Sequence, residues 1–179
     1  MADIDDFATS LFEEAKRFLE KAQGEAAPVA RNANLHAAML LAFCSLEAHL
    51  NAISNDFAER PEFSTHERAI LLELEVKLED GEFALGGFKM FRLEDRLQFL
   101  HRKFSGKAFD KSVEWWARLK DAMISRNELT HPKEAHSLTI DNVRDALSAI
   151  IAALDATYIV IYKKNFPAAN RGLHSQLMF

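Results

Sequence analysis

The strongest constraint on the fold is a helical hydrophobic period that stops only at a few glycines and prolines. Among 179 residues there are six Gly and four Pro, and nearly all of them stand where the apolar pattern breaks. Between these breaks apolar residues recur at steps of three and four, and no alternation of period two is long enough to build a sheet. The sequence therefore predicts an all-α protein, an antiparallel bundle of four long helices plus one or two short helices. We expect a single domain over residues 1–166 and a C-terminal tail over residues 167–179.

Several local patterns mark where elements begin or change. Ser64 and Glu67 have the spacing of a capping box at the start of the third helix, and Thr139 or Asp141 is the candidate N-cap of the last long helix. Residues 82–91 fit either a small hairpin or an aromatic-rich loop. Their Phe and Met side chains are expected in the core, with a dimer contact as the alternative. The tail ends in apolar residues and is either loose or an arm that docks on a partner.

Composition narrows the class of protein further. The net charge is −5, which excludes a protein coated in basic residues but not a local basic patch. Cys44 is the only cysteine, so disulfide frameworks, iron–sulfur clusters and cysteine-based zinc sites are excluded. Because its helical neighbours are apolar, Cys44 is expected to be buried and inert. The acidic N-terminus is unlike a signal peptide and the apolar runs are too short to span a bilayer, so we expect a cytoplasmic protein with no membrane partner.

Basic residues are concentrated in the middle of the chain. Residues 89–133 hold eleven basic and six acidic side chains, a net charge of +5 within an acidic protein. Such a segment forms either a pair of solvated helix faces or a surface for phosphate or other acidic ligands. On the second interpretation, Arg96, Lys120 and Lys133 are candidate substrate-binding residues.

A polar motif ends this basic segment, where Arg126 and Asn127 are followed by His131 and Pro132. Pro132 disfavours helical geometry at His131, so the helix is expected to end there and leave the imidazole free to swing toward the guanidinium. A permanently charged fork beside a group that titrates near neutrality suits phosphodiester chemistry, because the Arg can hold phosphate oxygens while the His moves a proton. The alternative is a helix C-terminus whose dipole the two side chains complement.

An acidic residue lies on an otherwise apolar face of the second helix. Four-residue steps run from Met39 and Phe43 to Glu47 and Asn51, so the carboxylate follows two large apolar side chains. Burying a carboxylate without a partner is costly, and Arg126 is the candidate partner. The alternative places Glu47 at the edge of the apolar stripe, in water or paired elsewhere.

Together these features resemble the HEPN superfamily (higher eukaryotes and prokaryotes nucleotide-binding), with Leu-Glu-Ala-x-Leu-Asn on a long early helix and Arg-Asn-x3-His-Pro ending a later one. The resemblance spans roughly residues 30–165 in helix order and spacing. It implies an all-α bundle that dimerises, with the Arg-x4–6-His motif at the dimer interface. Carried onto this chain, it implies Arg126 and His131 as the catalytic pair, Asn127 as the polar residue beside the Arg, and Glu47 as the acidic group that orients them.

The resemblance also implies a metal-independent endoribonuclease, in many members a toxin or defence effector, in which a ribose 2′-OH attacks the adjacent phosphate. The implied partners are RNA, a second copy of the chain, and an antitoxin or nucleotidyltransferase-type protein. Other members have lost catalysis, so the alternative is a non-catalytic HEPN-like module that binds a nucleotide, RNA or a protein partner. Asn51 joins the candidate substrate-binding residues. No cofactor or metal is predicted, because His131, Glu134 and His136 are expected to be three solvated loop residues.

Overall fold

The computed structural model describes residues 4–135 and 137–179, and over these residues the protein is mostly helical, as predicted. Within those ranges, four helices have 17 residues or more and two are shorter. The elements in chain order are α1 (Ile4–Gly24), α2 (Pro28–Ala58), α3 (Thr65–Leu72), β1 (Leu74–Glu79), β2 (Glu82–Phe88), α4 (Leu93–Ser105), α5 (Glu114–Thr130), α6 (Ile140–Tyr162) and a 3₁₀ turn (Ala169–Arg171).

Local sequence sets the start of two helices. Ser64 and Glu67 form the predicted capping box, in which Ser64 Oγ accepts a hydrogen bond from the Glu67 backbone N–H and the Glu67 carboxylate accepts one from the Ser64 N–H. Thr139, and not Asp141, caps α6, where it forms a second capping box with Asn142. Each box satisfies backbone donors that the start of a helix would otherwise leave free.

The long helix α2 lies at the centre of the packing, against α1, α3, α5 and α6. Because α6 also packs against α1, α4 and α5, α2 and α6 share one core. Burying a large apolar side chain stabilises a fold by about 1.5–3 kcal/mol. The largest fully buried apolar side chains include Phe12, Leu19, Leu35, Met39, Phe43, Leu46, Leu50, Ile53, Leu100, Leu119 and Leu147.

A β-hairpin replaces the end of the third predicted helical segment. β1 and β2 pair antiparallel, and the Asp80–Gly81 turn between them has positive φ at both residues, 51° and 88°. Positive φ at both central positions is typical of the type I′ turns that close two-residue hairpins, and Asp-Gly favours it. The expectation that no sheet forms is therefore wrong for residues 74–88. Residues 82–88 form only the second strand of this hairpin and residues 89–91 follow it as a connecting segment, so residues 82–91 form neither a hairpin of their own nor a loop throughout.

Two of the described helices, α2 and α6, are long and apolar enough to cross a membrane by length and composition alone. The argument that no segment is long enough for a bilayer therefore does not hold. In the fold, 61% of the most apolar window of α2 and 44% of that of α6 is buried. Core helices of soluble proteins pass the same test, so this observation does not place either helix in a membrane. The cytoplasmic location stays a prediction.

The end of the chain packs along α1. Ser175 Oγ donates a hydrogen bond to the Glu13 carbonyl oxygen at 2.8 Å, and the Arg17 guanidinium donates two to the Phe179 carbonyl oxygen. The Glu13 carboxylate also pairs with Lys16, which is fully buried, at 2.9 Å. The tail is thus held on its own domain, an arrangement that differs from both alternatives expected from the sequence.

Candidate functional site

Seven of the eight predicted site residues line one groove between α4 and α5, which has a volume of 1210 Å³. Within the described residues, it is lined by α5 and the loop after it, by the start of α4, by the end of β2 and the segment that joins β2 to α4, by Glu73, and by one residue of α2. We call it the α4–α5 groove. The predicted site residues on it are Glu47, Arg96, Lys120, Arg126, Asn127, His131 and Lys133.

Arg126 and Glu47 form the predicted pair between α5 and α2. Arg126 Nη2 donates a hydrogen bond to Glu47 Oε1 at 3.2 Å, and the guanidinium carbon lies 5.1 Å from the centre of the Phe43 ring. The Arg126 side chain is 25% exposed and the Glu47 side chain 45%, so solvent screens the pair and its contribution to stability is at most about 1 kcal/mol. The carboxylate and the ring thus fix the direction of a guanidinium that opens onto the groove.

The helix α5 ends one residue before His131, as Pro132 predicts. His131 has φ −131° and ψ 61°, which are not helical, and its backbone N–H donates to the Asn127 carbonyl oxygen at 2.8 Å. Both residues are exposed and line the groove. Over the described part of the chain, the imidazole makes no hydrogen bond to Arg126 or Asn127.

Arg96, a predicted substrate-binding residue, is held inside the protein. It is 4% exposed; its Nη2 donates to Asn51 Oδ1 at 2.8 Å and to Ser54 Oγ at 3.3 Å, and its Nη1 donates to Glu73 Oε2 at 3.1 Å. Burial lowers the pKa of Arg96, and the negative charges of Glu73 and Glu47 oppose that shift. Asn51 does not line the groove, whereas Arg96 does. Asn51 therefore affects the groove only by holding Arg96 in place.

The groove carries balanced charge and is not a basic cleft. Among the described residues, five Lys or Arg residues and five Glu residues line it. Glu94 lies 4.0 Å from both Arg92 Nη1 and Lys120 Nζ, while Lys133 is exposed. Because carboxylates already offset the positive charge, long-range attraction of a polyanion is weak here and binding must rely on short contacts.

Cys44 is exposed, so the prediction of a buried thiol is wrong. The apolar pattern of α2 does not show which part of its circumference stays uncovered. Partial burial raises the pKa of the thiol, the negative charge of Glu47 adds to that shift, and the positive charge of Arg126 opposes it. Cys44 is therefore close enough to Glu47 and Arg126 for their charges to affect the pKa of its thiol.

Metal binding finds no support in the described residues. Over residues 4–135 and 137–179, no group of three or more His, Cys, Asp or Glu side chains is arranged to hold a metal ion. His131 and Glu134 line the groove, whereas His136, the third member of the metal alternative, lies outside the described residues. The metal-free site stays a prediction.

Sequence reasoning missed the apolar wall of the groove. Phe88 and Met90 are 72% and 76% exposed and Ile124 is 56% exposed, and all three line the groove. The expectation of a core position for Phe88 and Met90 is therefore wrong. The available signal was the Asp80–Gly81 pair, which predicts a hairpin and hence a second strand that ends near the groove.

No known family profile matches the chain, and no curated protein or solved structure matches it. The case for a function therefore rests on the groove. Its most informative feature is an arginine that a glutamate from another helix holds in place, on the same groove as an exposed histidine at a helix end.

Proposed function

We propose that this protein is a HEPN-type, metal-independent endoribonuclease that acts as a homodimer in the cytoplasm, built on the antiparallel helical bundle of that superfamily. The observation that supports the proposal most is the 3.2 Å contact between Arg126 and Glu47, on a groove that Asn127 and His131 also line. A helix cap needs no carboxylate from α2, so this contact favours a site over a cap.

In the proposed reaction a ribose 2′-OH attacks the adjacent phosphorus, and the 5′-oxygen of the next nucleotide leaves. One imidazole takes the proton of the 2′-OH and another donates a proton to the leaving oxygen, which gives a 2′,3′-cyclic phosphate and a 5′-OH. Arg126 stabilises the charge that develops on the non-bridging oxygens. Glu47 positions the guanidinium, and Lys120 and Lys133 contact flanking phosphates.

A second copy of the chain completes this scheme. One His131 cannot act as base and acid in the same step, whereas two copies supply both groups. Ile124, on α5 and two residues before Arg126, is 56% exposed and would gain by burial against a second copy. Equal numbers of acidic and basic side chains on the groove also suit contact with a surface of mixed charge.

The balanced charge favours a second candidate function as well. A non-catalytic module of the same fold would use the groove to bind a protein of mixed charge, such as an antitoxin or a nucleotidyltransferase-type protein. Such a module would keep the Arg126–Glu47 contact as part of a docking surface and would not cleave RNA.

RNA cleavage in excess chelator tests the proposal, with structured and unstructured RNA and with the variants His131→Ala and Arg126→Ala. The matched controls are Arg118→Ala, which removes another α5 arginine that pairs with a glutamate, and His174→Ala, which removes an exposed histidine outside the groove. We expect chelator-resistant cleavage by the wild type and both controls. Loss of either groove residue should lower the rate by about 100-fold or more.

The products and the metal dependence decide between the candidates. Cyclic phosphate ends on the 5′ fragments would support attack by the 2′-OH. Cleavage that needs added divalent metal, or that survives His131→Ala, would refute this mechanism. No cleavage by a well-folded wild-type dimer would favour the binding module.

A further inference from the structure

We propose that the hairpin end of the α4–α5 groove, formed by Phe88 and Met90, is a nucleobase-binding subsite, and that the groove takes single-stranded RNA. The inference rests on the proposed function for the identity of the ligand as RNA. Phe88 is 72% exposed and Met90 76% exposed, and both line the same groove as Arg126 and His131. Exposed apolar side chains in one groove with cations fit a ligand that has both an apolar face and a negative charge.

The backbone that presents these side chains is held in place. Phe88 pairs with Leu74 across the hairpin. The Lys89 N–H then donates to the Glu73 carbonyl oxygen at 2.8 Å, and the Phe91 N–H donates to the Glu73 carboxylate at 3.3 Å. The exposed ring therefore lies on an ordered backbone, which lowers the conformational entropy lost when a ligand binds.

The balanced charge of the groove indicates which contacts must supply affinity for RNA. Lys120 and Arg92 both lie at the Glu94 carboxylate, so contacts to phosphate alone give little net attraction. Stacking of a base on an aromatic ring does not depend on net charge and contributes strongly per base. In a duplex the bases are already stacked on both faces, so the Phe88 ring can accept only an unpaired base.

Binding of a short single-stranded RNA with 2′-O-methyl riboses tests the subsite, because this ligand cannot be cleaved by 2′-OH attack. The comparison ligand is the same strand with abasic sugars at its centre, and fluorescence anisotropy measures both affinities. Phe88→Ala should weaken binding of the first RNA about 5- to 100-fold and leave binding of the abasic RNA unchanged. Phe88→Trp should retain binding, whereas Phe88→Leu, which keeps apolar bulk without a ring, should weaken it.

Phe83→Ala is the matched control. Phe83 is on the same strand and is 60% exposed, but its ring packs against His66 and is not part of the groove lining. This variant should bind both RNAs as the wild type does. An equal loss in Phe83→Ala would mean that any change in the hairpin lowers affinity, and it would overturn the assignment.

The remaining outcomes separate this proposal from the nuclease proposal. Equal affinity for the two RNAs, or no binding of either, would overturn the subsite. If Phe88→Ala sediments as a monomer and its affinity for both RNAs falls equally, the apolar wall of the groove contacts a second copy of the chain. That result would also overturn the subsite. If the wild type cleaves RNA but binds the intact and abasic strands equally, the nuclease proposal is supported and the subsite is overturned. If the wild type binds the intact strand more tightly but does not cleave RNA, the subsite is supported and the nuclease proposal is overturned.

Discussion

Removing Glu73 should destabilise the fold more than removing Arg96, the residue with which it pairs. Arg96 has a side chain that is 5% exposed, against 18% for Glu73, and their contact is 3.1 Å. In Glu73→Ala the guanidinium stays buried but loses the carboxylate to which it is bonded, and a buried charge left without its partner costs about 3–5 kcal/mol. Because Glu73 is partly solvated and Glu47 stays within electrostatic reach, we expect a loss at or below the lower limit of that range, about 2–3 kcal/mol.

Arg96→Met removes the buried charge together with its desolvation penalty. What remains is a smaller cost, since Asn51 and the buried Ser54 lose the donor that they share. A buried polar group without a partner costs about 1–3 kcal/mol, and the apolar stem of Met refills much of the volume. We therefore expect a loss of about 1–2 kcal/mol, less than for Glu73→Ala.

Urea unfolding followed by circular dichroism measures both effects, as shifts of the midpoint at constant slope. In the Arg96→Met background, Glu73→Ala should cost less than in the wild type, because the buried guanidinium is already gone and only the Phe91 N–H loses its acceptor. Glu75→Ala, which breaks the exposed Lys77 pair on the hairpin, serves as the control and should change stability little. A larger loss for Arg96→Met than for Glu73→Ala would show that hydrogen bonding, and not the buried charge, dominates this contact.

Three further predictions, tested by four substitutions, concern other parts of the molecule. Glu47 raises the pKa of the Cys44 thiol and Arg126 lowers it. At fixed pH, Glu47→Gln should therefore speed alkylation of Cys44 and Arg126→Met should slow it. Unchanged alkylation rates would contradict the proximity of these side chains to Cys44. Burial lowers the pKa of His49, so its contribution to the free energy of unfolding should be full above the ordinary histidine pKa of about 6.5 and decrease as the pH falls below that value; His49→Gln should abolish this part of the pH dependence in urea unfolding. Leu147→Ala should lower stability by about 2–5 kcal/mol in urea unfolding, because Leu147 is fully buried.

The features that sequence could predict are those that spacing along one element determines. Glu47 follows Phe43 by four residues, so it shares a helix face with a core side chain, which is why a cationic partner such as Arg126 could be predicted. The burial of Arg96 could not be predicted in this way, since in the sequence it is as basic as Lys120 and only the approach of α4 to α2 buries it. The exposure of Cys44 likewise depends on which neighbours α2 has.

The first strand of the hairpin could not be predicted from its hydrophobic pattern, for a different reason. Leu74, Val76 and Leu78 alternate with charged residues over six positions, a length at which helical and extended spacing are hard to separate. The turn residues Asp80 and Gly81 resolve the ambiguity, because both need positive φ in a two-residue hairpin. The two turn residues therefore predict the hairpin, whereas the hydrophobic period alone does not.

Two arginines reach α2 from different helices and affect the molecule in different ways. Arg126 of α5 bonds Glu47 in a partly exposed pair, so changing it should alter the chemistry of the groove with little effect on stability. Arg96 of α4 is buried against Asn51 and Glu73, and Glu73 in turn holds the backbone of the apolar wall. Changes on the α4 side should therefore lower stability and groove function together, whereas changes on the α5 side should separate them.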